Sequence, residues 1–119
     1  MNDSLRKHLL DAAQAAQAVL EFLGDADVLR YTNDRLLRSA VERQLTVLGE
    51  AARRALDEDP PLRLRLPDLA YAVGLRNRLV HGYDSVDDEI VFDIARSDLP
   101  ELIRELGTLL PQGDAPLQP

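Results

Sequence analysis

The sequence predicts an all-α protein, an up-and-down bundle of four to five helices. Apolar residues recur at spacings of three and four along most of the chain, as on the buried stripe of an amphipathic helix. These residues are mainly Leu, Ala and Val, and only 4% of the chain is aromatic, which favours helix packing over a β-sandwich. Gly, Pro and Asp cluster between the periodic stretches and predict the turns. A length of 119 residues fits one domain.

The first helix is predicted to start at Ser4, as its N-cap, and to end at Phe22 or Leu23, where Gly24 stops it. His8 lies off the apolar stripe of this helix, and we expect it to face solvent. The stripe comprises Leu5, Leu9, Ala12, Ala16, Val19, Leu20 and Leu23.

The longest predicted helix follows a short turn that Asp25 can cap. It starts at Thr32 or Asn33 and runs to about Leu56. Gly49 lies inside it and costs about 1 kcal/mol relative to alanine. This glycine indicates either the close approach of another helix or neutral drift at an exposed position, and the sequence leaves both open. The apolar stripe comprises Leu36, Leu37, Ala40, Val41, Leu45, Leu48, Ala52 and Ala55 or Leu56.

A loop over residues 57–66 separates the long helix from a third one. Pro67 suits the first turn of that helix, Asp68 is favourable near its positive N-terminal end, and Gly82 is predicted to end it.

On the long helix, the spacing of Glu50 and Arg54 predicts an i, i+4 ion pair.

The last part of the chain predicts two more helices and a tail. Ser85 or Asp87 can cap the first of them, and Asp98 followed by proline opens the last. Residues 1–110 therefore form the helical domain, and the polar, proline-rich residues 111–119 a flexible tail. The helices carry more apolar residues than the core of so small a bundle requires. We therefore expect a homodimer, with a well-filled monomer as the alternative.

Composition excludes several classes of function. The absence of cysteine excludes disulfides and thiolate metal sites and fits a cytoplasmic protein. Neither a stretch long enough to span a membrane nor the apolar core of a signal peptide is found. A net charge of -7 argues against broad, nonspecific nucleic-acid binding, although a small basic site on an acidic body remains compatible with it.

The end of the third helix is the densest group of chemically capable side chains in the sequence. Asn77 and His81 are four residues apart and share a helix face, so the amide can orient the imidazole. Arg76 lies about 140° around the helix from His81, close enough to flank the same groove. After the helix ends, the chain can turn so that Tyr83 folds back toward His81.

These residue types suit cleavage of an RNA phosphodiester. An imidazole such as that of His81 can move a proton at the 2′- or 5′-oxygen, while Arg76 stabilises the developing negative charge. Arg78 supplies a second guanidinium for phosphate, and Tyr83 can bond a phosphate or stack on a base. No metal or cofactor is needed for this chemistry. An adventitious Mg²⁺ site formed by the later acidic residues remains open, as does a purely structural helix end; those acidic residues are Asp84, Asp87, Asp88 and Glu89.

The same residues resemble a known family. The order of Arg76, His81 and Tyr83 matches the R-x4-H-x-Y motif of the HEPN superfamily, and the surrounding sequence looks like its HepT branch, also known as DUF86. The resemblance covers about residues 4 to 110. Its supporting segments are residues 48–51, 75–77 and 98–100.

The resemblance implies a HEPN-like homodimeric toxin of a type VII (HepT/MntA-like) toxin-antitoxin system, acting as a metal-independent endoribonuclease. Arg76 and His81 would be catalytic, in paired motifs that line a cleft between protomers, and Asn77 would help to orient the site. Tyr83 is similar to the tyrosine to which a nucleotidyltransferase antitoxin of the MNT type transfers AMP. Two alternatives stay open: a noncatalytic binding module that partners such a nucleotidyltransferase, and a plain structural dimer.

Overall fold

The computed structural model describes residues 1–82 and 86–110, and this part of the chain is all-α, as predicted. It contains five long helices and two short ones, and no strand lies within those two ranges. The short helices fall where the sequence predicted a turn and a loop. In chain order the elements are α1 (Asp3–Leu23), α2 (Val28–Asn33), α3 (Arg35–Glu58), α4 (Leu62–Arg65), α5 (Pro67–His81), α6 (Asp88–Ser97) and α7 (Leu99–Leu109).

The longest helix, α3, is the centre of the packing. Helices α1 and α5 both pack extensively against it, α7 packs on α1, and α6 packs on α2 and α7. The predicted stripes supply the core, except that Leu36 is 81% exposed. The largest fully buried side chains are Tyr31, Leu9, Leu23, Leu45, Leu48, Leu62, Leu69, Leu102, Ile103, Leu106, Val19 and Val41.

The first turn of α1 differs from the prediction. Asn2 is the N-cap and accepts a hydrogen bond from the backbone N–H of Leu5 at 2.7 Å. Ser4 instead donates to the carboxylate of Glu58, at the end of α3, at 2.7 Å. His8 approaches the same carboxylate at 3.0 Å with its side chain 19% exposed, so the expectation that it faces solvent is wrong. Both residues join the start of α1 to the end of α3.

The caps of α2 and α3 also lie one or two residues beyond the predicted positions. Asp27, not Asp25, caps α2. Asp34, rather than Thr32 or Asn33, caps α3. In both cases the carboxylate accepts from the N–H three residues later, at 2.8 and 3.0 Å, and a carboxylate is as good a cap as the side chains predicted.

The other predicted boundaries are found. Gly24 ends α1 with a φ of 51°, in the left-handed region that favours glycine. Pro67 is the first residue of α5, and Gly82 follows its end. Asp87 caps α6, while Ser85 and the tail predicted for residues 111–119 lie outside the described residues. None of the described helices is long and apolar enough to cross a membrane.

Candidate functional site

Gly49 brings α5 close to α3 at the start of the predicted motif. The residue is buried, and a Cβ atom there would overlap the Cβ of Arg76 and lie 2.7 Å from the carbonyl oxygen of Ala72. Only glycine therefore fits without a shift of α5. Of the two interpretations that the sequence left open for Gly49, the close approach of another helix is the one found.

The Arg76 guanidinium is held partly by its neighbours. Its Nη1 donates to Oδ1 of Asn77 at 3.2 Å, and its Nη2 lies 3.8 Å from Oε2 of Glu50. Its Nε is buried and has no hydrogen-bond partner among the described residues. The side chain as a whole is 26% exposed. The guanidinium thus keeps donor capacity that no described protein group takes up.

Glu50 is the anionic centre of an arginine cluster. Arg53 donates to it at 2.6 Å and Arg54 at 3.3 Å, which confirms the predicted pair with Arg54. The Arg53 hydrogen bond, followed by that of Arg54 and the nearby charge of Arg76, lowers the pKa of Glu50 to about 2 against the opposing effect of burial. A carboxylate with so low a pKa is a poor proton acceptor at neutral pH. Its contacts are with the three arginines.

Of the other predicted site residues, Arg78 and His81 lie on the last turn of α5. His81 is exposed, and no hydrogen bond or ion pair joins it to Asn77 or Arg76 in the part of the chain that the structure describes. The Asn77 oxygen accepts from Arg76 rather than meeting the imidazole. Arg78 is exposed, and its carbonyl oxygen accepts the N–H of Gly82. Tyr83 lies outside the described residues.

A groove with charged side chains in its lining runs between α1 and α3 and reaches Arg76. It has a volume of about 620 Å³ and includes Lys7 and His8 on α1. The sequence does not reveal this groove, because it forms only when two helices distant in sequence pack together. The sequence feature that could have pointed to the groove is the set of arginines on the outer faces of the long helix. The charged lining, histidine aside, consists of Lys7, Arg43, Arg54 and Arg76 with Asp11 and Glu50.

No metal-binding site is evident within residues 1–82 and 86–110. No three His, Asp or Glu side chains there are grouped so that they could hold a metal ion. Asp84, one of the acidic residues considered for Mg²⁺, lies outside these ranges.

Comparison with known families identifies the family of the chain. Residues 12–109 match the model of the family described as ribonuclease HepT-like. The chain belongs to this family. The matched region contains α3, α5 and the complete Arg76, His81 and Tyr83 motif, so the family membership inferred from that motif is confirmed.

Three relatives show how far the likeness extends. "Putative RNase MJ1380" of Methanocaldococcus jannaschii is 33% identical over 104 residues, which cover 86% of this chain and 93% of that protein. "Putative RNase MJ0125" of the same organism is 27% identical over 108 residues, 89% of this chain and 90% of that protein. "Probable ribonuclease HepT" of Thermococcus cleftensis is 28% identical over 102 residues, 86% and 92% of the two chains. No solved structure gives a significant match.

The contact at Gly49 makes a prediction about stability. Gly49→Ala should lower the free energy of unfolding by about 1–3 kcal/mol, because the new methyl group overpacks the α3–α5 contact. The control is Gly74→Ala, inside α5, where an added Cβ meets nothing within 4 Å. That change should stabilise the protein by roughly 0.5–1 kcal/mol, since alanine is the better helix former. Urea denaturation measures both, and equal effects of the two substitutions would contradict the contact.

Proposed function

We propose that the chain is a homodimeric toxin that cuts within RNA strands without a metal ion, with Arg76 and His81 as its catalytic residues. Asn77 and Arg78 support the site, and Tyr83 both contacts the substrate and accepts a regulatory modification. The observation that carries the proposal is the complete motif at the end of α5, with its arginine held beside Glu50 on α3, in a chain of the HepT-like family.

RNA is the proposed substrate for two reasons. Several relatives that match nearly the whole chain carry names that describe them as ribonucleases. A partly exposed guanidinium on the same helix as a solvent-exposed imidazole also suits a phosphodiester with a neighbouring 2′-hydroxyl. We place the protein in the cytoplasm, where RNA is available.

The proposed step is an internal transesterification. The 2′-oxygen attacks phosphorus as an imidazole removes its proton, and the bond from phosphorus to the 5′-oxygen breaks as that oxygen receives a proton. The products are a 2′,3′-cyclic phosphate and a 5′-hydroxyl. Arg76 neutralises the charge that builds on the phosphoryl oxygens. Glu50 positions Arg76, and its low pKa keeps it out of the proton transfer.

A homodimer supplies the second motif histidine that one chain lacks. Each chain has a single histidine in the motif, whereas the reaction uses one base and one acid. His81 is exposed at the end of α5 and makes no described contact with Arg76 of its own chain. If two motifs face one another across a cleft between protomers, one His81 acts as base and the other as acid.

Tyr83 is the proposed point of control. A partner nucleotidyltransferase antitoxin of the MNT type would catalyse attack of the tyrosine hydroxyl on the α-phosphate of ATP, forming the tyrosine–AMP bond and releasing pyrophosphate. The added nucleotide is bulky and anionic, so it would fill the cleft and repel RNA phosphates. Together the two proteins form a toxin-antitoxin system of type VII.

A second candidate is a noncatalytic module that partners the nucleotidyltransferase. The observation that favours it is the separation of His81 from the Arg76, Asn77 and Glu50 group in the described chain. This candidate predicts a stable complex and nucleotide transfer to Tyr83, with no cleavage by the unmodified protein.

The first test of the proposal is cleavage in EDTA. Protein produced without any partner, with its unmodified mass verified, should cut total RNA and leave 2′,3′-cyclic phosphate ends. His81→Ala should reduce the rate by at least about 10²-fold, because general acid–base catalysis is lost, while circular dichroism and dimer mass stay unchanged. Growth inhibition on expression should disappear with the activity. A folded wild-type dimer that cuts no RNA would move the assignment to the noncatalytic module.

The second test concerns Tyr83. Co-expression with a nucleotidyltransferase encoded beside this chain should add the mass of AMP to the wild type and abolish cleavage. Tyr83→Phe, which lacks only the hydroxyl, should show no added mass and should escape inhibition by modification. Addition of AMP to Tyr83→Phe, measured by intact mass and peptide mapping, would contradict Tyr83 as the acceptor.

A further inference from the structure

We infer that the groove between α1 and α3 binds the phosphates of the RNA strand beside the cut, with Arg43 as its anchoring residue. The inference rests on the proposed function and adds to it the path of the substrate away from the motif. The first observation that supports it is that the groove is continuous with the motif, because Arg43 and Arg76 both line it. A strand with one phosphate on Arg76 can therefore extend along α3 without leaving the surface.

The charge of the groove opposes that of the rest of the protein. Its described lining carries four cationic and two anionic side chains, whereas the chain has a net charge of -7. Because the chain as a whole is acidic, the excess of cationic side chains in the groove favours RNA phosphates there. The charge pattern thus fits a narrow path for RNA on an acidic protein.

The dimensions of the groove suit a strand rather than a single small anion. Its lining on α3 runs from Arg43 to Arg54, which is roughly 16 Å of helix. At about 3.4 Å per stacked nucleotide this length matches four to five nucleotides. The volume of about 620 Å³ is lined by side chains of both α1 and α3.

Arg43 differs from the other cations of the groove. Lys7 is bonded to both oxygens of Asp11, at 2.7 and 2.9 Å, and Arg54 is bonded to Glu50. Arg43 is exposed and has no ion pair or hydrogen bond with any described residue. Its planar fork is therefore ready for a phosphate without first breaking an internal pair. The pair of Lys7 is exposed and weak, so this cation can exchange its carboxylate for a phosphate once the strand is in place.

The experiment measures RNA binding without cleavage. A fluorescein-labelled single-stranded RNA of 12 nucleotides is titrated with unmodified His81→Ala protein in EDTA, and its anisotropy gives Kd. Arg43→Glu is added to this background, with Arg35→Glu as the matched control. Arg35 also lies on α3, is exposed and has no partner among the described residues, but it does not line the groove. Arg43→Gln tests the charge with less disturbance, and circular dichroism checks the fold of each variant.

If RNA binds in the groove, Arg43→Glu should raise Kd about tenfold, and Arg35→Glu should change it less than about twofold. Arg43→Gln should lower the slope of log Kd against log salt by roughly 0.7, the value for one phosphate contact on a single strand. DNA of the same sequence should lose the same binding, because the contact is to phosphate. Equal effects of the Arg43 and Arg35 changes, or a loss confined to RNA, would overturn the assignment.

Failure of this inference differs from failure of the proposed function. RNA binding that depends on Arg43, together with a wild type that cuts no RNA, supports the groove and contradicts the nuclease. Cleavage by the wild type that is unaffected by Arg43→Glu, in rate and in KM, supports the nuclease and contradicts the groove. No binding of RNA by the folded, unmodified dimer contradicts both.

Discussion

The contact of α3 with α5 at Gly49 is the constraint on which the site depends. The missing side chain lets the backbone of α5 approach until Arg76 and Ala72 lie against α3. Arg76 therefore leaves its helix at the surface of α3, within reach of Glu50, the residue that follows the glycine. A larger residue at position 49 would move α5 and separate the guanidinium from its carboxylate. Helix packing thus decides where the positive charge of the motif lies.

Electrostatics then determines what that charge can do. Three arginines surround one carboxylate, so Glu50 stays ionised and holds them without neutralising the cluster. The Arg76 side chain is partly exposed, and the groove that it lines carries more positive than negative side chains. In a protein with a net charge of -7 this is a local exception. This local excess of positive charge is suited to binding an anionic ligand.

The sequence predicted the long helices, the motif and the family, because each of these depends on patterns of residues that are close together in the chain. Periodic apolar residues, Pro67 at a helix start and the spacing of Arg76 and His81 can be recognised without a structure. The caps were misplaced by one or two residues since several neighbouring polar side chains can perform the same task. Contacts between distant segments could not be predicted. The pairing of Glu50 with Arg76 and that of His8 with Glu58 depend on which helix faces meet.

The most direct test of the account is the structure of the unmodified protein bound to a short RNA in which fluorine replaces every 2′-hydroxyl. Such an RNA cannot undergo the proposed attack, so it remains intact at the site. The account predicts a phosphate within hydrogen-bond distance of the Arg76 guanidinium, an imidazole of His81 beside the same nucleotide, and an unchanged α3–α5 contact at Gly49. RNA bound with its phosphates away from Arg76, while that side chain remains on Glu50, would contradict the account.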